Sequence, residues 1–257
     1  MAVDQNKPDE HLSQMSTAWT VLFQAHEGAA EAAGAARRRL LERYAWPVSR
    51  YLRAAARDPD AADELYQEFA LKFLRGDFQR AHPDRGRFRD FLKTVLYHLV
   101  VDYHKRRGRR PGPLPSESQV VAPEDEPAAG PDAAFLKAWR AELLKRSWEE
   151  LARSERETGQ PLYTVLRYRT DHPEMRSHQM AEGLTGELGR PITAGWVRKQ
   201  LHFARERLAD LLLKEVLLTV ESASPEDLAG ELIDLGLLEY CRAALERYTQ
   251  AATEGKK

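Results

Sequence analysis

The sequence predicts an all-α protein of two helical domains joined by a Pro-rich acidic linker. Apolar residues recur at helical spacing along most of the 257 residues, and no long segment alternates as a strand does. Between residues 111 and 131 the chain has six prolines, and every charged residue there is acidic. Such a segment cannot bury a core and is typical of an extended linker. We therefore expect a disordered N-terminus at 1–15, domains at 16–110 and 132–221, and a helical tail at 222–257.

Composition places the chain among soluble proteins and argues against several function classes. It is 42% hydrophobic and 31% charged, with a net charge of -1. Cations nevertheless concentrate near residues 85–110 and 198–207. No run is apolar enough to span a bilayer, and the N-terminus lacks the segments of a signal peptide, so we expect a cytoplasmic protein. The single cysteine, Cys241, is expected to be a small buried hydrophobe.

The first domain is predicted to begin with three helices. Ser16 or Thr17 can cap a first helix, and a second follows the alanine-rich stretch, where Pro47 is expected to kink or interrupt it. The third helix starts at Asp58-Pro59-Asp60, since proline fits a first turn, and Gly76 is expected to close it.

The helix predicted within residues 85–110 is the element around which the chain is organised. Its apolar stripe consists of Phe88, Phe91, Leu92, Val95, Leu96, Leu99, Val100 and Tyr103. Its other face holds Arg89, Lys93, Tyr97, His98, Asp102 and Lys105, and the helix ends in a cationic cluster that includes Arg106 and Arg107. Cations interleaved with aromatic rings suit a nucleic-acid backbone with exposed bases, although a solvated core helix is the alternative.

The second domain contains the pattern of a helix-turn-helix motif. A long helix and a shorter one precede a short helix at Met180–Leu188, the break Gly189-Arg190-Pro191, and a basic helix that Thr193 can cap. The first turns of that basic helix expose Ala194, Gly195, Arg198, Lys199 and His202. In the motif those turns face the bases of the major groove, and Arg198 could bond a guanine or a phosphate. An ordinary helical hairpin is the alternative interpretation.

The tail shows a leucine stripe at Leu228, Leu232, Leu235 and Leu238. Such a stripe needs a partner, which is either the second domain or another protein. Acidic residues on its outer side could shield the basic helix of the preceding motif.

Signatures of catalysis are missing from the sequence. There is no glycine-rich phosphate loop, no CxxC pair and no HExxH, so we expect neither an enzyme nor a cofactor. His98, Asp102 and His104 do not favour a metal site, because only His98 and Asp102 share a helical face.

These features together resemble a bacterial sigma factor of the extracytoplasmic-function type, in the sigma-70 superfamily. ADELYQEFALKFL is similar to the family's helix that grips the clamp helices of RNA polymerase, with Glu64, Gln67 and Glu68 at its acidic and amide positions. GRFRDFLKTVLYHLVVDYHKRR resembles the helix that melts and reads the minus-ten element, and ITAGWVRKQLHFARERL resembles the helix that reads the minus-thirty-five element. The family usually has asparagine where His98 stands.

The resemblance implies a set of partners and contacts. The partners would be core RNA polymerase and promoter DNA, both duplex and melted, and an anti-sigma factor is a further partner that such proteins can have. Tyr97 and Tyr103 would provide rings for unstacked bases, at roughly 1–3 kcal/mol per stacked base, while Lys105, Arg106 and Arg107 would provide charge for phosphates. The remaining expected DNA contacts are Arg89, Lys93, His98, Thr193, Ala194, Arg198, Lys199 and His202. The alternative function is a helical DNA-binding regulator or adaptor that does not bind core polymerase.

Overall fold

The computed structural model describes residues 30–75, 77, 87–108, 130–220 and 224–254. These residues form nine helices and no strand, as the all-α prediction requires. The helices are α1 (Ala30–Ala56), α2 (Pro59–Arg75), α3 (Phe88–Arg106), α4 (Pro131–Thr158), α5 (Leu162–Asp171), α6 (Ser177–Leu188), α7 (Ala194–Leu217), α8 (Pro225–Asp234) and α9 (Leu238–Glu254). The helix predicted after Ser16 or Thr17, Gly76, and most of the acidic linker lie outside the described residues.

Two prolines of the first domain lie within helices, one in the interior of α1 and one at the start of α2. Helix α1 continues through Pro47, so this proline does not interrupt it. Asp58 caps α2, because its Oδ1 atom accepts hydrogen bonds from the backbone N–H groups of Asp60 at 3.1 Å and Ala61 at 3.4 Å. Pro59 then occupies the first helical position, where a missing N–H is tolerated.

The structure divides into two compact units. The first comprises Met1–Glu142 with Leu217–Asp227, and the second comprises Leu143–Val216 with Leu228–Lys257. Helix α4 therefore supplies residues to both units, whereas the sequence placed residues 132–142 in the second domain. The physical reason is aromatic packing: Trp139 stacks on Tyr44 with ring centroids 4.7 Å apart, and Phe135 meets Tyr51 edge-on at 6.0 Å.

Helix α3 buries its apolar side in the core of the first unit. Phe88, Leu92, Leu96, Leu99, Val100 and Tyr103 are all buried, while Phe91 and Val95 are partly exposed. This stripe fixes which side chains of the helix face outward.

The core of the second unit packs α6 and α7 against the two helices that precede them. Its buried residues come from four helices and are Leu151, Val165, Leu166, Met180, Ala181, Leu184, Val197, Leu201, Ala204, Leu208 and Leu211. Helices α5 and α6 approach closely at Gly183, where an added Cβ atom would overlap the ring of Tyr168. A side chain at this position would therefore have to displace the end of the Tyr168 side chain.

The turn between α6 and α7 has the predicted form. Gly189 ends α6 with φ of 64°, a conformation that glycine adopts at little cost. The backbone N–H of Ile192 donates to Oγ1 of Thr185 at 3.1 Å, and that of Trp196 donates to Oγ1 of Thr193 at 3.2 Å. The second bond caps α7, as the sequence predicted.

Candidate nucleic-acid interface

The outward side of α2 combines polar and apolar groups. Glu64 and Gln67 are exposed, and the Glu68 side chain is 23% exposed. Leu71 and Leu74 continue the same face and are 53% and 37% exposed. These leucines were not predicted from the sequence, although they follow Gln67 by four and seven residues, a spacing that places them on one side of a helix. This mixed face suits a protein partner.

The two acids of this face pair with cations at the end of α3. Arg106 donates a hydrogen bond to Oε2 of Glu68 at 2.6 Å, and the Arg107 guanidinium lies 3.9 Å from the Glu64 carboxylate. Lys72 also pairs with Glu68 at 2.9 Å. The sequence assigned these acids to one partner and these arginines to another, and it gave no sign that they meet.

The pairs leave Glu68 firmly ionised. Partial burial alone would raise the pKa of this carboxyl, but hydrogen bonds and charge from Lys72 and Arg106 outweigh that effect and lower the pKa below its ordinary value. The same pair raises the pKa of Arg106. Glu68 and Arg106 are therefore charged together at neutral pH.

The outer face of α3 presents the rings and charge that the sequence predicted at three positions. Tyr97 is 38% exposed, and the neighbouring His98 ring, also exposed, lies 5.5 Å from it in an edge-on arrangement. Lys105 is exposed and lies 3.9 Å from Asp102. These residues give α3 an accessible ring next to a cationic end.

Two positions on α3 differ from the expectation. The prediction that Arg89 lies on the exposed face is wrong, since the residue is 4% exposed. Arg89 precedes Leu92 by three residues and Leu96 by seven, so it falls on the buried stripe, where its aliphatic stem can pack. Tyr103 is also only 4% exposed and lies beneath the Arg107 guanidinium, so the prediction that it offers an accessible ring is wrong.

Lys93 is less accessible than the predicted DNA contact requires. Its side chain is partly buried, and its ammonium pairs with Asp132 at 2.8 Å within the first unit. A nucleic-acid contact by Lys93 would therefore have to replace this ion pair.

The start of α7 exposes the predicted residues of the second unit. Thr193, Arg198, Lys199 and His202 are exposed, and Ala194 is partly exposed. Val197 and Leu201, between them, are buried, which orients the polar side outward.

Two aromatic residues join this surface and were not selected from the sequence. Phe203 is 42% exposed beneath the Lys199 ammonium, which lies 5.6 Å from the ring centre. Arg190 lies over the Trp196 ring at 5.1 Å. Lys199 precedes Phe203 by four residues, a spacing that brings two side chains together on a helix, so the sequence could have indicated this pair. Arg190 precedes Trp196 by six residues, across the start of α7, and this pair has no such signal.

Within the described ranges there is no group of three or more His, Cys, Asp and Glu side chains that could hold a metal ion. None of the helices that the structure describes is both long and apolar enough to cross a membrane.

Comparison with known proteins identifies one part of the chain. Residues 40–110 match the family model of sigma-70 region 2, and this range includes α2, α3 and most of α1. The match supports a relationship to the sigma-70 family and a role in binding core RNA polymerase and melting promoters. Comparison with curated proteins and with solved structures gives no match.

Proposed function

We propose that this chain is a sigma factor of the extracytoplasmic-function type that directs core RNA polymerase to promoters. The observation on which the proposal chiefly depends is the two-sided surface of the first unit, where the polar face of α2 adjoins the ring and cations of α3. It lies within the residues that match sigma-70 region 2. On this proposal the protein is a non-catalytic initiation factor that acts in the cytoplasm.

Helix α2 is the proposed contact with the polymerase clamp. Glu64 and Gln67 would bond polar groups of the clamp, and Leu71 and Leu74 would lose exposed apolar area on docking. Glu68 is partly buried and already bonded, so it would join the contact by exchanging Arg106 for a partner on the polymerase.

Helix α3 is the proposed reader of the melted minus-ten element. A base that leaves the duplex loses its stacking, and a ring such as Tyr97 can replace it. Lys105, Arg106 and Arg107 would follow the phosphates, which contribute affinity without sequence information. His98 adjoins Tyr97 and would contact the captured base.

Helix α7 is the proposed reader of the minus-thirty-five element in duplex DNA. Small Ala194 at its tip permits close approach, while Arg198 and Lys199 have the chemistry to bond guanine or phosphate. The support for this part is the turn at Gly189, the Thr193 cap of α7 and the exposure of these side chains.

Co-elution with core RNA polymerase on a sizing column tests the proposal. The wild-type chain should co-elute, and the variant Glu64→Lys with Glu68→Lys should not, because two attractive contacts become repulsive. A control with the same change of net charge, Glu149→Lys with Glu239→Lys in the second unit, should still co-elute. A wild-type chain that never co-elutes would favour a DNA-binding regulator or adaptor.

A further inference from the structure

The last described helix places a cation against the basic helix α7. Arg247 of α9 donates a hydrogen bond to Oδ1 of Asp210 at 2.6 Å, and its guanidinium lies 3.7 Å from the Glu206 carboxylate. All three residues belong to the second unit. The sequence suggested that acids of the tail could shield α7, whereas this contact brings a cation of the tail to acids of α7.

Burial of apolar side chains in the tail helices α8 and α9 determines where Arg247 lies. Leu228, Leu232 and Leu235 are buried, as are Cys241 and Ala244 of α9. Burial raises the pKa of the Cys241 thiol to about 12, with a smaller contribution from Asp210. Three of the four leucines of the stripe predicted from the sequence are therefore covered within the protein, while Leu238 stays partly exposed.

The two acids lie on the same face of α7 as the exposed residues of its first turns, further toward its C-terminal end. Glu206 follows Lys199 by seven residues and His202 by four, so it continues the exposed face that holds both. His202 itself lies 3.4 Å from the Glu206 carboxylate. Asp210 is one turn further along. Uncompensated carboxylates on this face would repel phosphates within the screening distance of about 10 Å at 0.1 M salt.

We propose that Arg247 is a positioning residue for duplex binding, which neutralises Glu206 and Asp210 so that α7 can lie along the DNA. It acts through the two carboxylates and does not itself contact phosphate. The tail is accordingly part of the duplex-binding surface. The inference depends on the DNA-reading role proposed for α7, and not on the polymerase contact proposed for α2.

Anisotropy of a labelled random-sequence duplex, titrated with the full chain over a series of salt concentrations, tests the inference. Arg247→Gln should weaken binding by about threefold to tenfold, because two carboxylates lose their counter-charge. Arg247→Lys should retain most of the affinity. The matched control is Arg242→Gln, which removes the same charge from α9 but whose partner, Glu239, lies on α9 itself. Thermal unfolding of each variant verifies that the fold is retained.

A rescue experiment separates neutralisation from direct contact. Adding Glu206→Gln and Asp210→Asn to Arg247→Gln should restore wild-type affinity, since no acid then needs a counter-charge. Failure of this rescue, together with a salt dependence reduced by about one unit, would make Arg247 a phosphate contact and overturn the inference. Equal effects of Arg247→Gln and Arg242→Gln would also overturn it. If the wild-type chain binds no duplex, the role of α7 fails with it, while co-elution with polymerase still reports on α2.

Discussion

At Tyr97, the contribution of base stacking can be measured separately from that of charge. It is partly exposed on α3, and the cations Arg106 and Arg107 lie two to three turns further along the helix. Stacking requires a ring, whereas contact with phosphate requires only charge.

We predict that Tyr97→Ala impairs promoter opening but leaves the initial duplex complex intact. The loss should amount to roughly 1–3 kcal/mol, because one stacked base loses its platform. Permanganate footprinting on linear and pre-melted templates measures this effect. Tyr97→Phe keeps the ring and serves as the control. Normal melting of linear duplex by Tyr97→Ala would show that this face does not capture bases.

Glu68 and Arg106 allow a second prediction, which concerns the free chain. Because Glu68 holds Arg106 at 2.6 Å, we expect Glu68→Gln to release the arginine toward phosphates. Binding of a single-stranded oligonucleotide should tighten by about twofold to fivefold, since a partly exposed pair contributes about 1 kcal/mol or less. Fluorescence titration at several salt concentrations provides the measurement.

The control for this change is Asp63→Asn. It removes the same charge from α2, but Asp63 lies 3.9 Å from Arg53 of α1 and not against α3. A gain of the same size in both variants would show that net charge, and not the release of Arg106, explains the result.

Helical spacing in the sequence predicted most of the exposed side chains of α3 correctly. It could not predict contacts that depend on a second helix. Spacing placed Tyr97, His98 and Lys105 outward. Read from the exposed side alone, it misplaced Arg89, which also fits the buried stripe. No spacing within one helix could reveal that Glu68 and Arg106, 38 residues apart, form an ion pair.

At the scale of elements, the close contact between α5 and α6 holds α6 in the core of the second unit. We predict that Gly183→Ala destabilises the second unit by about 1–3 kcal/mol, because the methyl group would displace the Tyr168 ring. Chemical denaturation measures the change. The matched control is Gly186→Ala on the same helix, where an added Cβ atom meets nothing within 4 Å. That substitution should stabilise the helix by about 0.5–1 kcal/mol, and equal effects would contradict the packing described.

The reactivity of the Cys241 thiol reports whether α9 is packed in the folded chain. With a pKa of about 12, the Cys241 thiol is almost entirely protonated at pH 8, and the thiolate is the reactive form. We predict that a thiol reagent modifies the native chain slowly and the denatured chain rapidly. The native rate should keep rising with pH above about 8.5, where the rate of an ordinary thiol levels off. Rapid modification of the folded chain near neutral pH would show that α9 is not docked.

Most elements were predictable because each has its own local signal. Asp58-Pro59 begins α2, Gly189 ends α6 and Thr193 caps α7, and each signal depends on a few adjacent residues. The assignment of residues 132–142 to the first unit was not predictable in this way. It depends on Trp139 and Phe135 meeting rings of α1, which is a contact between distant segments.

For the whole molecule, the central claim is that core polymerase and this chain together select and open promoters. Residues 40–110 of the first unit match sigma-70 region 2, and the second unit presents a capped basic helix that the proposal assigns to the upstream element. If both units act together, the selected promoters should contain two elements at a constant spacing.

Transcription from a random promoter library with purified core polymerase tests this claim most directly. We predict that transcripts appear only when the chain is added, and that their templates share a minus-ten and a minus-thirty-five element. Arg198→Ala should relax preference at the upstream element alone, with a cost of about 1–3 kcal/mol. Transcript levels and template sequences that do not change when the chain is added would contradict the account.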